Sequence, residues 1–173
     1  MNSAAVKKLK SAKLWVLFSV VAAAVWGFAF YWISRPSRSQ KLEVWLGAAF
    51  GLKPSVTAEI ERAAAPYGIK ECDVNDYDPA DAYYAQAFSL RANSVDIYIL
   101  DRQTAETLAQ TGIFAPVTFA FDGAEYLRLD DTDNIYGVRF VGDYYIFVNS
   151  ASKKTDALLK DVIAVLVKAG AEA

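Results

Sequence analysis

Histidine is absent from all 173 residues. That removes Ser-His-Asp and Cys-His arrangements, imidazole metal ligation and the commonest general base at neutral pH. Cysteine occurs once, as Cys72, so the chain can form no internal disulfide and no cysteine cluster for zinc. The role expected for Cys72 is a small, partly buried side chain at the edge of a strand. No Gly-x-Ser-x-Gly run marks a nucleophile, and no Gly-x-Gly-x-x-Gly or phosphate-loop pattern follows a strand. Nothing singles out two of the 20 acids as a glycosidase pair, although such pairs meet only in space. The expectation is a chain that is not an enzyme, with no catalytic residue, metal or cofactor.

Acid is missing from the first part of the chain. All seven ionisable side chains up to Lys41 are basic, which leaves 11 basic and 20 acidic residues beyond it, a net of −9. An acidic domain argues against nucleic acid, whose binding is driven by phosphate neutralisation, and against lying flat on anionic lipid. Within the basic region, residues 14–33 read LWVLFSVVAAAVWGFAFYWI, twenty positions without a charge, a proline or an amide side chain. At helical rise they span about 30 Å, the thickness of a bilayer's hydrocarbon core. Trp15 stands near one end and Tyr31 and Trp32 at the other, where amphipathic rings favour the headgroups, and Trp26 lies between them. These four are the expected membrane-anchor residues. Lys7, Lys8, Lys10 and Lys13 resemble the n-region of a signal peptide, and Ala22-Ala23-Ala24 offers small residues for cleavage. The apolar run continues for nine residues past Ala24, which suits a retained anchor. Four lysines before the span against Arg35, Arg38 and Lys41 after it bias the N-terminus to the cytoplasm. The expected organisation is a basic cytoplasmic arm (1–13), a transmembrane helix (14–33), a polar linker (34–40) and one domain (41–173).

In that domain, residues 41–48 alternate as a strand, with Leu42, Val44 and Leu46 on one face and Trp45 on the other. A helix capped by Ser55 or Thr57 follows, with Ile60, Ala63 and Ala64 on one stripe, and Pro66 and Gly68 end it. Residues 69–74 form a second strand. Asp78-Pro79-Ala80-Asp81 is a helix-start signal for a helix to about Ala92. Residues 95–100, VDIYIL, form a third strand, and Asp101 caps a helix to Thr111 with Gly112 beyond it. Three successive strand–helix units predict a parallel sheet covered on both faces. Hairpins are then expected across Asp122-Gly123, joining 119–121 to 126–129, and across Gly142-Asp143, joining 135–141 to 144–149. An amphipathic helix over 155–169 closes the chain. The fold class expected is α/β: a transmembrane helix, then one doubly wound lobe with a mainly parallel sheet and added antiparallel strands.

Two acid-rich runs, 73–81 and 130–134, carry oxygens that a hard cation takes, but the first lacks the glycine and terminal glutamate of an EF-hand loop. Solvated turns are expected at both. The informative positions are the C-terminal ends of the parallel strands, outside which open α/β sheets bind ligands. The residues there are Phe50 and Gly51, then Asp76 and Tyr77, then Asp101 and Arg102. A small residue for close approach, ring faces for stacking and charged hydrogen-bonding groups suit a polyol or sugar, and equally an ordinary polar rim.

The segments KLEVWL, APYGIK, YYAQAFSLRANSVDIYIL and TGIFAPV together resemble the first lobe of bacterial extracellular solute-binding proteins, the type II periplasmic-binding fold of sugar ABC importers. NIYGVRF is similar to that family's crossing segment. DYYIFVNSASKKTDALLKDVIAVLVKAG is similar to its closing strand and helix, in which a strand ending in Val-Asn precedes an Ala/Leu-rich helix. The resemblance implies a single-pass protein of a bacterial cell membrane with its C-terminal domain outside the cytoplasm. The implied partners are a sugar-like solute, the lipid bilayer and an ABC permease or another membrane protein. Family members have two lobes and commonly a lipid-modified cysteine. This chain has room for one lobe and lacks that cysteine, which implies an open binding surface. The alternative is an interaction subunit that binds no solute and docks on a membrane partner.

Overall fold

The computed structural model describes residues 3–131 and 134–172, and the chain divides into two compact units, Met1–Pro36 and Ser37–Ala173. The first unit is one helix, α1 (Ser3–Ser34). Within it Lys13–Ser34, 22 residues, is long and apolar enough to cross a membrane. Trp15, Trp26, Tyr31 and Trp32 are all exposed, as are the aliphatic residues around them. The exposed segment Lys13–Ser34 is apolar on every face, unlike the one-sided apolar stripe of a helix lying on a soluble core. Its length and composition fit a membrane anchor and a signal sequence alike. At its end the Arg35 guanidinium lies 4.2 Å from the centroid of the Tyr31 ring, a pairing suited to the headgroup level.

The second unit is a mixed α/β domain. Strand β1 (Lys41–Gly47) leads to α2 (Pro54–Ala64), then β2 (Glu71–Tyr77), α3 (Tyr84–Arg91), β3 (Ile97–Asp101) and α4 (Arg102–Ala109). Short strands β4 (Phe114–Ala115) and β5 (Tyr126–Leu127) precede β6 (Gly137–Val141), β7 (Tyr144–Asn149) and α5 (Asp156–Ala171). The seven-stranded sheet runs β2-β1-β3-β7-β6-β5, with β4 paired to β7. Strand β1 is parallel to both β2 and β3, and every other pairing is antiparallel. The sheet is therefore less parallel than the sequence predicts, because β7 returns beside β3 and occupies the edge that a fourth parallel strand would take.

Strand β1 sorts the core. Leu42, Val44 and Leu46 face α2 and α5, joining Ile60 and Ala64 of α2 and Leu158, Leu159, Val162, Ile163 and Leu166 of α5. Trp45 faces the other way with Tyr98, Leu100, Phe114 and Phe147, covered by Tyr84, Ala87 and Phe88 of α3. Each large aliphatic side chain so buried contributes roughly 1.5–3 kcal/mol relative to exposure. The α5 face of five such residues is accordingly the strongest local reason for this layer. Thr155 caps α5, its side chain accepting from Leu158 N at 3.4 Å, which fits the predicted start.

Several local expectations are corrected. Helix α2 begins at Pro54 with Lys53 in the cap position and no side-chain cap, so neither Ser55 nor Thr57 caps it. Proline's fixed φ and missing N–H suit the first helical position and set the start upstream of both. Strand β2 is shifted towards the C-terminus and runs through Asn75, Asp76 and Tyr77, because it pairs with β1 over the full register from Lys41↔Glu71 to Gly47↔Tyr77. Asp78 does not start a helix. It accepts from Ala80 N, and Asp81 accepts from Tyr83 N, both at 2.9 Å, so side chains close two turns and α3 starts only at Tyr84. Residues 119–121 form no strand. Strand β5 pairs with β6 instead of folding back across Asp122-Gly123. The β6–β7 hairpin forms as predicted, with Gly142 at φ 56° in its turn. Residues 132 and 133 of the second acid-rich run lie outside the described residues.

Part of the predicted linker is built into the domain. Arg38–Gln40 forms a short 3-10 turn. The Arg38 guanidinium lies 3.3 Å from Glu43 and 3.4 Å from the buried carboxylate of Asp96. Lys154 Nζ donates to the Arg38 and Ser39 carbonyls at 3.0 and 3.1 Å.

Cys72 is half-buried on β2. Burial first, then the charges of Glu61 and Asp73, push its thiol from 9.0 up to about 11. Since the thiolate is the nucleophile, two pK units correspond to a thiolate population about a hundredfold smaller at neutral pH. Iodoacetamide at pH 8 is expected to modify Cys72 on the order of a hundredfold more slowly in the native than in the urea-unfolded chain, the rate climbing towards pH 11. Mass-spectrometric alkylation kinetics check this, and equal rates would contradict it.

Candidate functional site

The C-terminal ends of β1, β2 and β3 lie side by side, with Gly47 opposite Tyr77 on one flank and Leu100 on the other. Helix α2 leaves β1 on one face while α3 and α4 cover the other, so the loop after Gly47 occupies the position where such sheets bind ligands. At Gly47 a Cβ would collide with the Tyr84 hydroxyl and stand 2.8 Å from Leu100 Cδ2, so only glycine lets these three segments converge.

The six predicted residues separate into two groups. Phe50, Gly51 and Asp76 come together. A Cβ at Gly51 would stand 2.9 Å from Asp76 Oδ2, so the loop backbone lies directly against that carboxylate. The Phe50 ring, 39% exposed, is 6.4 Å from Phe140 in a stacked arrangement and 5.0 Å edge-on from Tyr144. Asp76 is exposed, and partial desolvation raises its pKa above the ordinary carboxylate value. The Tyr144 hydroxyl is raised as well, by desolvation first and then by the charges of Asp101 and Asp78.

Tyr77, Asp101 and Arg102 each have a partner within the domain, Arg102 at its surface. Tyr77 stacks on Trp45 with ring centroids 4.2 Å apart and planes at 16°. Asp101 caps α4, accepting from Thr104 N at 2.9 Å and Thr104 Oγ1 at 2.6 Å. The Arg102 side chain turns to Glu106, with Nε 2.7 Å from Oε1. The sequence locates these three at the right strand ends, but local partners within four residues claim Asp101 and Arg102.

Beside Phe50 and Gly51 opens a cavity of about 480 Å³, within the size range of small-molecule sites. Its walls come from three distant segments: Leu52, Lys53, Ser55, Val56 and Glu59 at the start of α2; Phe140 and Val141 at the end of β6; and Lys168, Ala169 and Glu172 at the end of α5. Only Phe50 and Gly51 of this lining are identified by strand-end reasoning. The rest follows from the antiparallel packing of α2 against α5, which places the start of one beside the end of the other. No sequence motif records that pairing.

A smaller cavity of about 330 Å³ lies at the other side of the domain, between α4 and the residues around Leu129, Asp130 and Tyr136. Among the described residues no group of three or more cysteine or acidic side chains is arranged to hold a metal ion. Asp73 and Asp76 lie on β2 and Asp78 and Asp81 close turns, which disperses the first acid-rich run. Neither the protein-family models nor the curated proteins compared with this chain contain a match to it.

Proposed function

We propose that the chain is a membrane-tethered, extracytoplasmic solute-binding-like module, a single doubly wound lobe that binds a small solute without transforming it. In this reading it serves as an accessory to an ABC-type importer in a bacterial cell membrane, with α1 as its retained anchor and its N-terminus in the cytoplasm. The observation that carries the reading is the cavity of about 480 Å³ that adjoins the C-terminal ends of the parallel strands through Phe50 and Gly51. Phe50 supplies a ring face to this cavity, while the Asp76 carboxylate lies beside Gly51 without lining it. The resemblance of the domain's segments to solute-binding lobes points the same way.

Isothermal titration of the full chain in lipid nanodiscs against sugars, amino acids and short peptides tests this. Heat with one class, lost in Phe50→Ala, is expected; no heat with any class overturns the reading.

A second reading has an observation of its own. Asp101 and Arg102 are already occupied at the strand ends, as they would be in a lobe that binds no solute and docks on a membrane partner. Purification in mild detergent followed by mass spectrometry separates the two. A stoichiometric membrane partner together with no solute binding favours docking.

A further inference from the structure

Helix α3 is pinned at one end and lightly held at the other. At its C-terminal end the Ala92 carbonyl accepts from the hydroxyl of buried Tyr98 and from Asn149 Nδ2, both at 2.6 Å. The Arg91 guanidinium donates to Asn75 Oδ1 at 2.8 Å, and Ser94 Oγ donates to Glu43 Oε2 at 2.7 Å. At its N-terminal end Tyr83 stands in the cap position with no side-chain cap, and residues 78–83 are all exposed. The hydrogen bonds that close residues 78–84 run within that segment, from Ala80 and Asp81 to Asp78 and from Tyr83 and Tyr84 to Asp81. Underneath the helix, three buried polar atoms have no hydrogen-bond partner among the described residues: Trp45 Nε1, Asn75 Nδ2 and Tyr84 Oη. All three carry a hydrogen to donate. Trp45 and Asn75 are partners in the β1–β2 register, and Tyr84 packs edge-on against the Trp45 ring. The indole N–H and the Tyr84 hydroxyl face each other without meeting in hydrogen-bond geometry.

The ring contacts of Tyr84 and Phe88 favour the closed position of α3. The unpaired donors oppose it, since each regains a partner in water when the helix lifts. Local opening belongs to segments with few buried side chains, and residues 78–90 contain no fully buried one. We propose that residues 78–90 form a lid, which swings about its pinned end at 91–94 and uncovers the Trp45–Tyr77 stack and the Asn75 amide near the C-terminal ends of β1 and β2. The floor so exposed offers ring faces and unpaired N–H groups. It lies on the sheet face opposite the α2–α5 layer, so the lid stands independently of the solute-binding reading of the cavity beside Phe50.

Hydrogen exchange of the full chain in lipid nanodiscs tests this, with backbone amides read by mass spectrometry. The Trp45 indole N–H is read by NMR, as the indole signal that Trp45→Phe removes. The amides of Tyr84–Leu90 and the Trp45 indole N–H are expected to exchange at matching rates, roughly tenfold or more faster than the backbone amides of β1. Fraying of α3 over a closed floor would release its amides and leave the indole protected, so the indole separates the two motions. Tyr84→Phe removes one unpaired donor and keeps the ring, and is expected to slow both signals severalfold while β1 stays unchanged. An indole N–H, or α3 amides, as protected as β1 overturns the lid. Unchanged or faster exchange in Tyr84→Phe overturns it as well, because the hydroxyl would then be paired in the closed position or without influence on it.

Discussion

Trp45→Ala is expected to destabilise the domain by about 4 kcal/mol, within the usual cost of removing a large buried aromatic. The indole is fully buried on the α3 face of β1. It stacks on Tyr77, and Tyr84 and Phe88 meet it edge-on at 5.7 and 5.5 Å. Helix α3 is eight residues long and has no fully buried residue of its own, so its attachment depends on this contact. Isolated helices of that length are marginal in water. The loss is therefore expected to appear in two ways. Urea unfolding should shift its midpoint to match the free-energy change, and amides of Tyr84–Arg91 should exchange faster under native conditions than those of α5. A change below about 1 kcal/mol, far under the range for buried aromatics, contradicts the packing described here.

Asn149→Ala is expected to cost about 3 kcal/mol, because it removes the side-chain partner of the Val95 carbonyl and of the Ala151 N–H, each worth roughly 1–3 kcal/mol. The Asn149 side chain is 2% exposed at the end of β7. Its Nδ2 donates to the Ala92 and Val95 carbonyls at 2.6 and 2.7 Å and lies 3.2 Å from the Tyr98 hydroxyl, while its Oδ1 accepts from Ala151 N at 2.9 Å. These bonds tie the chain entering β3 to the chain leaving β7. Asn149→Asp tests the role of the amide, since an aspartate has no N–H to give the two carbonyls and is expected to be no better than alanine. Chemical denaturation of the three forms checks the order. An aspartate variant as stable as the native chain would show that the network matters little.

Residue 149 shows where sequence reasoning stops. The Val-Asn ending before an amphipathic helix is legible as a pattern, and so is the β6–β7 hairpin that Gly142-Asp143 announces. The reason for the asparagine, an amide serving two carbonyls more than fifty residues earlier, exists only in three dimensions. Leu42, Val44, Leu46 and Trp45 sorted correctly between the two faces because strand alternation is local and strong. The stretch 78–83 misled for the same local reason. Asp-Pro-Ala-Asp carries helix-start chemistry, but each aspartate found a backbone N–H two residues on and satisfied it in a turn.

At the candidate site the division is similar. Strand-end logic brought Phe50, Gly51 and Asp76 together, because β1 and β2 are parallel and in register. Asp101 and Arg102 stand at the same ends but bond to capping and i,i+4 partners that are themselves readable a few residues downstream. Phe140, Lys168 and Glu172 reach the cavity only because the β6–β7 hairpin returns beside β3 and α5 packs against α2. Such placement is a property of topology, and periodicity along one segment carries no trace of it.

In the proposed function a solute sits at the strand ends, between the start of α2 and the end of α5. Hydrogen exchange of the full chain in lipid nanodiscs, with and without a saturating amount of whichever solute gives heat in the titration, tests that placement. Slowed exchange confined to residues 50–59 and 168–172, with α4 and the cavity at Leu129–Tyr136 unchanged, is the predicted result. Unaltered exchange at 50–59 and 168–172 while binding is saturated would contradict it.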